Sequence, residues 1–589
     1  MTNRLMLLVV SLVLTQACSG IVGGSDAGVE TGGGVGGGAG ATGGGAGTTG
    51  GGDGSTGGGT TSTGGGTTTG GGTASTGGGS GSTGGGSACE PFGHRPAPTN
   101  TFTLPVPANG HLAYNDIQAA FPNVDWQTLD RLYIPAGVYK TLRFDNLPTR
   151  TAARPLIITN KGGQVQVGPN DNGNFIWAMS GGANWVVTGR YDPDAQTGDV
   201  NFPGHRCGAY ANSQGKYGII SDDAFDLDAP YTHMGISIGS ATDFELDFIE
   251  VTRSGFAGVR LINSRSAGDP ARPMANLKIH DLYVHDTDGE GFYFGWTGQP
   301  PSNLFPNLQV YNNRIIRTGT ETLQIQDMGE GSRIHHNVLA FGALHWLDAF
   351  SQYQDGNVQA LVREGTVEFD HNIIIGGAGT FLSFFSSPQS GDGARNVTFH
   401  DNYWADTRSL GGYLNGNSTA PSSITFGDNV FRGLNFSYTA VNPSATDPGV
   451  VFGVNGANQA PISFTGNKWE GSRALLSGIQ ENGTRNNITA TGNARGTVPE
   501  VTFVNWGYPN VPTSKLTLWG DVATLAPGMP MIQYAVGDLV MHDGQLFRAK
   551  TANTNKVPPA NPADWEQLVR PADDVRVAPG STYEGMGVQ

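Results

Sequence analysis

Two glutamates are the residues of this sequence best suited to acid–base chemistry. Glu290 lies in the segment DGEG and Glu321 in GTETL, 31 residues later, and each precedes a short run of alternating apolar residues. Two carboxyl groups held close together cannot both ionise freely, so one becomes a proton donor beside a base. A separation of about 5 to 5.5 Å is that of a retaining glycosidase. The alternatives are a pair beside a structural ion, or two residues that face solvent on different sides.

Histidine and arginine side chains in the same region suit a different reaction, the elimination performed by polysaccharide lyases. This reaction needs a base for the proton next to a carboxylate and a cation that stabilises the resulting enediolate. His335 and His345 are the candidate bases, and Arg317 and Arg333 are the candidate neutralising groups. The candidate catalytic residues are therefore Glu290, Glu321, His335 and His345.

Other polar residues of this region either bind substrate or are ordinary surface residues. Arg253, Asp286 and Arg317 alternate in charge, as expected for a solvated row of weak ion pairs or for a groove wall that recognises carboxylates. Tyr293 and Gln324 offer a sugar a stacking surface and an amide, or are ordinary exposed strand residues. The candidate substrate-binding residues are Arg253, Arg317, Tyr293, Gln324 and Arg333.

All these residues come from a region of internal repeats. Residues 246–261, 279–294 and 310–325 superpose without gaps, and apolar residues coincide at alternating positions of each strand. Such a repeat predicts successive coils whose equivalent residues stack about 4.8 Å apart. The stacking would place Glu290 over Glu321.

An asparagine recurs at the same point of successive repeats and is expected to stabilise a bend. There it can take a tight conformation and hydrogen-bond its amide to the coils above and below. His336 and His371 directly precede two of these asparagines and are expected to be hydrogen-bonded turn residues. The repeated asparagines are Asn313, Asn337, Asn372, Asn402, Asn429 and Asn467.

With this row of asparagines, residues 98–500 resemble the right-handed parallel β-helix proteins of the pectate-lyase-like superfamily. The resemblance implies an all-β fold class, a right-handed single-stranded parallel β-helix, to which we assign residues 89–505. It also implies a carbohydrate-active protein, either a polysaccharide lyase or a glycoside hydrolase of a cell-wall or matrix polysaccharide. The sequence lacks the paired-Asp and His-Gly patterns of polygalacturonases and the Asp-rich calcium motif of pectate lyases. A noncatalytic glycan-binding surface protein, or adhesin, is the alternative.

Residues 529–570 differ in character from the repeats. The hairpin pattern HDGQLFRA resembles the chitin-binding type 3 modules, which are carbohydrate-binding module families 5 and 12. By that resemblance Tyr534, Phe547 and Trp565 form the aromatic framework of a small β-domain. The segment AKTANT stands where those modules often carry adjacent tryptophans. The alternative is a small β-domain that caps or spaces the solenoid.

The remaining segments predict export and tethering. Residues 1–18 form a signal peptide whose end, LTQAC, resembles a bacterial lipoprotein cleavage box with Cys18 as the lipidated residue. Residues 19–88 are a flexible linker rich in Gly, Ser and Thr. We also expect a linker at 506–528 and a tail at 571–589. The protein is thus expected to be extracellular or at the cell surface, where an outer-membrane lipoprotein is one form.

The amino-acid composition limits the classes of molecule that the protein is expected to bind. A formal net charge of −16 with 14% charged residues argues against nucleic acid as a partner. We expect a monomer that binds polysaccharide and meets a membrane only through a lipid anchor. Cys89 and Cys207 form one disulfide in an oxidising compartment or remain two buried thiols. No cofactor is expected, apart from the hypothesis of Ca²⁺ at Asp286, Asp288 and Glu290.

Overall fold

The described part of the chain is built almost entirely of β-strands in this computed structural model. Each coil contributes strands to parallel rows that we call ladders 1, 2 and 3, in the order in which a coil visits them. The described residues are 97–170, 175–192, 198–205, 210, 213–224, 233–295, 301–344, 356–377, 382–385, 393–407, 410–414, 422–434, 450–454, 460–470, 474–476, 479, 481–507, 516–518, 533–542, 545–569 and 571–589.

Strand pairing follows the register predicted from the repeats. Leu246 pairs with Ile279, and Ile279 pairs with Val310 one coil further on. Ladder 3 has the same relation, with Phe292 between its partners on the preceding and following coils. The pairs are parallel throughout the three ladders, so the prediction of a parallel β-helix is confirmed.

The strand bounds show how regularly the coils repeat. Ladder 1 contains Thr101–Thr103, Arg131–Tyr139, Leu156–Val167, Ala183–Thr188, Thr242–Asp247, Lys278–His280, Gln309–Tyr311, Arg333–His335, Gly365–Asp370, Arg395–His400, Ser422–Gly427, Ile462–Thr465 and Ile488–Thr491. Ladder 2 receives the second halves of the two longest of these strands, followed by Ile219–Asp222, Ile249–Thr252, Tyr283–Thr287, Arg314–Thr318, Val338–Gly342, Ile373–Gly377, Tyr403–Ala405, Val430–Arg432, Lys468–Trp469 and Ala494–Arg495. Ladder 3 contains His111–Ala113, Thr141–Phe144, Phe175–Ser180, Met234–Gly239, Val259–Ile262, Phe292–Phe294, Leu323–Met328, Val358–Val362, Leu382–Phe385, Gly412–Leu414 and Phe452–Val454.

The core lies between the ladders. Along each strand every second side chain points inward, and these inward-facing side chains form the core. Equivalent aromatic residues of successive coils stack there, as the rings of Phe399 and Phe426 do at 4.8 Å and those of Phe426 and Phe464 at 5.0 Å. One continuous apolar cluster extends from Leu104 to Ala490. Burial of this surface is the main stabilising contribution, at roughly 25 cal/mol per Å². Outward-facing residues are thereby free to differ from coil to coil.

The asparagine row lies at the bend between ladders 1 and 2. Asn372 accepts hydrogen bonds from the backbone and the amide of Asn337 and donates to Asn402 of the next coil. The left-handed conformation falls on the residue before each of these asparagines, for example at φ 53° for His336 and 52° for His371. The two histidines are therefore turn residues, as expected. The asparagines themselves do not adopt the left-handed conformation, and their side chains hydrogen-bond buried backbone groups of the neighbouring coils. The row continues to Asn493, one coil beyond the predicted set.

One short helix, Tyr114–Ala120, precedes the long strands. The sequence YNDIQAAF predicts a helix that plugs an open solenoid end, and Tyr114 and Ile117 are indeed buried in the apolar core beside the first coil. The ring of Tyr114 packs edge-on against Trp126 at 5.5 Å. Among the described residues, no helix is long and apolar enough to cross a membrane.

The C-terminal β-domain is a small antiparallel arrangement that includes one strand of the predicted 506–528 linker. The hairpin is formed by the strands predicted from HDGQLFRA, and the linker strand lies parallel to its first arm. The strands outside the ladders are Gly483–Arg485, Phe503–Asn505, Leu516–Leu518, Gln533–Tyr534, Leu539–His542, Gln545–Ala549, Asn553–Thr554, Trp565–Gln567 and Asp574–Val577.

The tail, residues 571–589, runs along the outer side of ladder 2. Its strand Asp574–Val577 pairs antiparallel with Phe503–Asn505. Tyr583 packs against Tyr403 of ladder 2 with ring centroids 4.6 Å apart. The outward side chains of ladder 2 thus form a second apolar cluster together with the tail and the C-terminal β-domain.

Candidate functional site

Glu290 and Glu321 occupy equivalent positions of consecutive coils, immediately before ladder 3. The backbone oxygen of Glu290 accepts a hydrogen bond from the N–H of Gly258 at 2.9 Å, and that of Glu321 accepts one from Gly291 at the same distance. Two residues later Phe292 pairs with its counterpart on the next coil, which fixes the register of the pair. The coil spacing brings their Cα atoms to about 4.8 Å.

The surroundings of the two carboxyl groups differ. Both side chains are buried, with 1% of Glu290 and none of Glu321 exposed. Oε1 of Glu321 accepts a hydrogen bond of 2.5 Å from Nε2 of Gln359, on the following coil. Oε2 of Glu290 accepts no hydrogen bond within the described part of the chain. The Glu321 carboxyl is therefore bound by a side-chain amide, whereas the Glu290 carboxyl receives a hydrogen bond from its own backbone N–H.

Burial raises the pKa of Glu290 to about 8. A hydrogen bond from its own backbone N–H and the charge of Arg260 oppose this rise, whereas the charge of Asp288 adds to it. A carboxyl group removed from water favours its neutral form because ionisation loses solvation. The raised pKa favours a protonated Glu290 at neutral pH, and its first cause is burial, so the expectation that the closeness of the two carboxyl groups raises one pKa stays a prediction.

A row of polar side chains flanks the glutamates on the outer side of ladder 3. Arg260, Tyr293, Gln324 and Gln359 follow one another in register on four consecutive coils. Tyr293 is half-buried and packs against Phe256 at 5.5 Å, and Gln324 is buried. The structure therefore brings the two predicted sugar-contacting residues together beside the glutamates.

Sequence comparison missed Arg260 and Gln359. Arg260 lies in the first of the three aligned repeats, at the position equivalent to Tyr293 of the next coil, and this equivalence could have identified it. Gln359 follows Gln324 by 35 residues, and its coil lies beyond the three that superpose without gaps. Extending the alignment across the longer loop would have found it.

His335 and Arg333 lie on ladder 1 and so on a different face from the glutamates. The ring of His335 stacks on Tyr311 with centroids 5.1 Å apart, and its Nδ1 shares a 2.9 Å hydrogen bond with Nδ1 of His336. Burial and the charge of Arg333 lower the pKa of His335 to about 4, which keeps the imidazole neutral. The guanidinium of Arg333 binds Asp370 through two hydrogen bonds of 2.6 Å.

Arg253 and Arg317 form the predicted row of alternating charge with Asp286. Arg253 is half-exposed and binds both carboxylate oxygens of Asp222, at 2.8 and 2.5 Å. Arg317 is buried beneath the tail, where its guanidinium binds Asp286 and, at 2.8 Å, Asp573. This placement makes Arg317 part of the packing between tail and solenoid rather than of an open groove.

Several predictions stay untested, most of them because their residues lie outside the described part of the chain. His345, Cys18, Cys89 and Cys207 lie outside the described residues, so that the base, lipidation and disulfide hypotheses stay predictions. Asp286, of the calcium hypothesis, is already bound by Arg317 at 2.7 and 3.1 Å.

Among the residues that the structure describes, two clusters on ladder 1 have potential ligand atoms close enough to share a metal ion. They are Glu245, Asp247 and His280, and Glu368, Asp370 and His400. In the second cluster the Asp370 carboxylate is occupied by Arg333. In the first, burial lowers the pKa of His280, but hydrogen bonds to Asp281 and Glu245 outweigh it and raise that pKa to about 9. A metal ion would have to displace this proton from the imidazole, so the raised pKa weakens metal binding at neutral pH.

The three aromatic residues of the C-terminal β-domain form its interior. Tyr534, Phe547 and Trp565 are each at most 4% exposed and pack in one small cluster. The indole N–H of Trp565 donates to the backbone oxygen of Lys556 at 2.7 Å. These rings serve as the framework of the domain, and their faces are covered by neighbouring side chains.

No protein-family model and no curated protein matches the sequence. Solved structures to which the chain is similar include an alginate lyase from Paenibacillus sp. str. FPU-7, at 14% identity over 56% of this chain and 95% of that chain, with a TM-score of 0.36. A GH136 lacto-N-biosidase from Eubacterium ramulus has 10% identity over 64% of each chain and a TM-score of 0.36. A pectate lyase has 10% identity over 72% of this chain and 85% of that chain, with a TM-score of 0.27. Likeness at this level concerns the fold alone.

Proposed function

We propose that this protein is a carbohydrate-active enzyme that hydrolyses glycosidic bonds of a polysaccharide at the start of ladder 3. The observation that carries the proposal is the pair of glutamates on adjacent coils. Burial keeps Glu290 protonated, and an amide anchors Glu321. A proton donor beside a carboxylate is the equipment of most glycosidases.

The spacing of the pair favours hydrolysis with retention. Adjacent coils are about 4.8 Å apart, close to the 5 to 5.5 Å of retaining enzymes and below the 6.5 to 9.5 Å that inverting enzymes need for a water. Glu290 gives its proton to the glycosidic oxygen while an oxygen of Glu321 attacks the anomeric carbon and the glycosidic bond breaks. Water then attacks the anomeric carbon, gives its proton to Glu290 and releases Glu321.

Gln359 and the other polar residues of the row on ladder 3 orient Glu321 and the substrate, and they take no part in bond making or breaking. The hydrogen bond from Gln359 fixes the orientation of the Glu321 carboxyl group relative to the anomeric carbon. Tyr293 and Gln324 offer a ring edge and an amide to sugar units next to the cleaved bond.

A lyase using His335 is the second candidate, because this imidazole is neutral and half-exposed. An elimination also needs a positive group for the enediolate. The adjacent cation, Arg333, is already neutralised by Asp370. Hydrolysis is therefore the better supported reaction, and a binding-only adhesin is the outcome if neither product forms.

A product assay tests these alternatives. The full chain is incubated with polyuronates, chitin and neutral polysaccharides, and both reducing ends and ultraviolet-absorbing unsaturated ends are measured. The proposal predicts reducing ends without unsaturation, and their loss in Glu290→Gln with retained binding. The matched control is Glu481→Gln, which makes the same chemical change at an exposed residue of the last coils. Unsaturated ends would indicate a lyase, and binding without products an adhesin.

The N-terminal sequence supports a proposal for the place where the protein acts. We propose export through residues 1–18, with Cys18 as a lipid anchor and 19–88 as the tether between the anchor and the enzyme. Mass spectrometry of the mature N-terminus tests this directly. A diacylated Cys18 supports surface anchoring, and an uncleaved Met1 contradicts export.

A further inference from the structure

A polar cleft opens beside the end of ladder 3, away from the glutamates. Its volume is about 420 Å³, within the range of small-ligand sites. One wall is the turn Ser240–Thr242, and the other is the loop 264–274 with Asn303 of the next coil. This volume suits one or two sugar units.

Two arginines give the cleft a positive lining. Arg265 and Arg272 both line it, against one carboxylate, that of Asp269. Nε of Arg265 is buried and makes no hydrogen bond within the described part of the chain, while its Nη1 is held by the backbone oxygen of Asp269 at 2.6 Å. Arg272 is exposed, and its guanidinium has no partner among the described residues. Both cations thus retain N–H groups for a ligand.

The loop that carries the arginines is fixed to the coils on either side. The backbone N–H of Arg272 donates to Oδ1 of Asn303 at 2.7 Å, and that of Arg265 to the oxygen of Pro301 at 3.1 Å. At its end Met274 is buried in the core and its N–H donates to Leu304 at 2.9 Å. The cleft is consequently a preformed site, and binding does not have to order the loop.

We propose that this cleft binds the carboxylate of a uronic acid unit, so that the substrate of the ladder 3 site is an acidic polysaccharide. Arginine suits a carboxylate because its N–H groups match the two oxygens. Serine and threonine hydroxyls on the same walls suit the sugar ring. A chain with a net charge of −16 repels an acidic polymer unless cations compensate locally, and the cleft supplies them. The inference rests on the proposed function, because that function supplies the premise that the substrate is a polysaccharide.

Calorimetry with short oligosaccharides tests the cleft separately from catalysis. The full chain carries Glu290→Gln so that ligands are not consumed, and tetragalacturonate is compared with neutral chitotetraose and with free acetate. We expect tetragalacturonate to bind at least tenfold more tightly than chitotetraose and acetate. The double variant Arg265→Gln, Arg272→Gln should lose at least tenfold in affinity for tetragalacturonate, and Arg495→Gln, at an exposed site of the last coil, should lose none.

Three results would overturn the inference. These are equal affinity for the acidic and the neutral tetrasaccharide, an unchanged affinity in the double variant, or acetate binding as tight as that of the oligomer. Thermal unfolding of the double variant, compared with the parent, shows that the loop is still folded. Failure of catalysis with intact uronate binding would contradict only the proposed hydrolysis.

Discussion

Glu290 and Glu321 have the same side chain at equivalent positions, and their surroundings make them chemically different. The side-chain amide of Gln359 binds the carboxyl group of Glu321, whereas the carboxyl group of Glu290 is hydrogen-bonded by its own backbone N–H and is removed from water. A shift of one pKa unit corresponds to about 1.4 kcal/mol between protonation states. In the proposed mechanism, the division of roles between acid and nucleophile results from this difference in hydrogen bonding and from burial.

The raised pKa of Glu290 has a consequence for stability. In the unfolded chain this carboxyl ionises near its ordinary pKa of 4.5, but in the folded protein it stays protonated up to about pH 8. The folded state therefore binds one more proton between these values, and stability falls as pH rises, by about 1.4 kcal/mol per unit. Glu290→Gln should remove this part of the slope, which chemical denaturation from pH 5 to 8 measures. An identical slope in the variant would contradict the account.

Gln359 should affect catalysis without affecting substrate binding. Gln359→Ala frees the Glu321 carboxylate from its anchor, and small misplacements of a reacting group reduce rates by about a hundredfold. We expect kcat to fall by about that factor while KM changes little. Gln324→Ala is the control on the adjacent coil, where KM should rise instead. A change of KM alone in Gln359→Ala would show that Gln359 binds substrate.

At the scale of single elements, the bends and strands were largely predictable from sequence and the side-chain contacts between distant segments were not. Apolar alternation and the repeated asparagines determine the register, because a slip of one residue would turn every core side chain outward. The contact between Arg317 and Asp573 spans 256 residues, and no local pattern signals it. For that reason the sequence does not distinguish the two interpretations of Arg317, as an ion-pair residue or a groove residue, from its burial beneath the tail.

The asparagine row should contribute strongly to stability. Asn372→Ala leaves the backbone N–H of Asn337 and the backbone oxygen of Ile334 without their buried partner. Each unsatisfied buried group costs about 1 to 3 kcal/mol, so we expect a loss of about 3 kcal/mol. Denaturant unfolding measures it, with the exposed Asn396→Ala as the control. Equal midpoints for the two variants would refute this role.

For the whole molecule, the outer side of ladder 2 is covered by the chain itself while ladder 3 carries the candidate site. The carboxylate of Asp573 lies in the interior between tail and solenoid, bound by Arg317 and by the hydroxyl of Tyr283 at 2.6 Å. The tail is thus packed against the solenoid rather than a free appendage, and it covers the part of ladder 2 around Tyr283, Arg317 and Tyr403.

Removing the charge of Asp573 tests this interface. Asp573→Asn leaves part of the charge of Arg317 uncompensated in a buried place, which costs about 3 kcal/mol. The expected result is a lower midpoint of denaturant unfolding and faster proteolysis of residues 571–589. Asp116→Asn, on the exposed side of the short helix, should change stability by less than about 0.5 kcal/mol. Undiminished stability of Asp573→Asn would mean that the tail does not depend on this ion pair.

The central claim is that burial keeps Glu290, on the coil next to Glu321, a carboxylic acid at neutral pH. Carbon-13 NMR of glutamate-labelled protein, as the difference between the parent chain and Glu290→Gln, measures the titration of Glu290 itself. The account predicts a midpoint of about pH 8 for this carboxyl. A midpoint near the ordinary pKa of a glutamate would contradict it and remove the proton donor from the proposed hydrolysis.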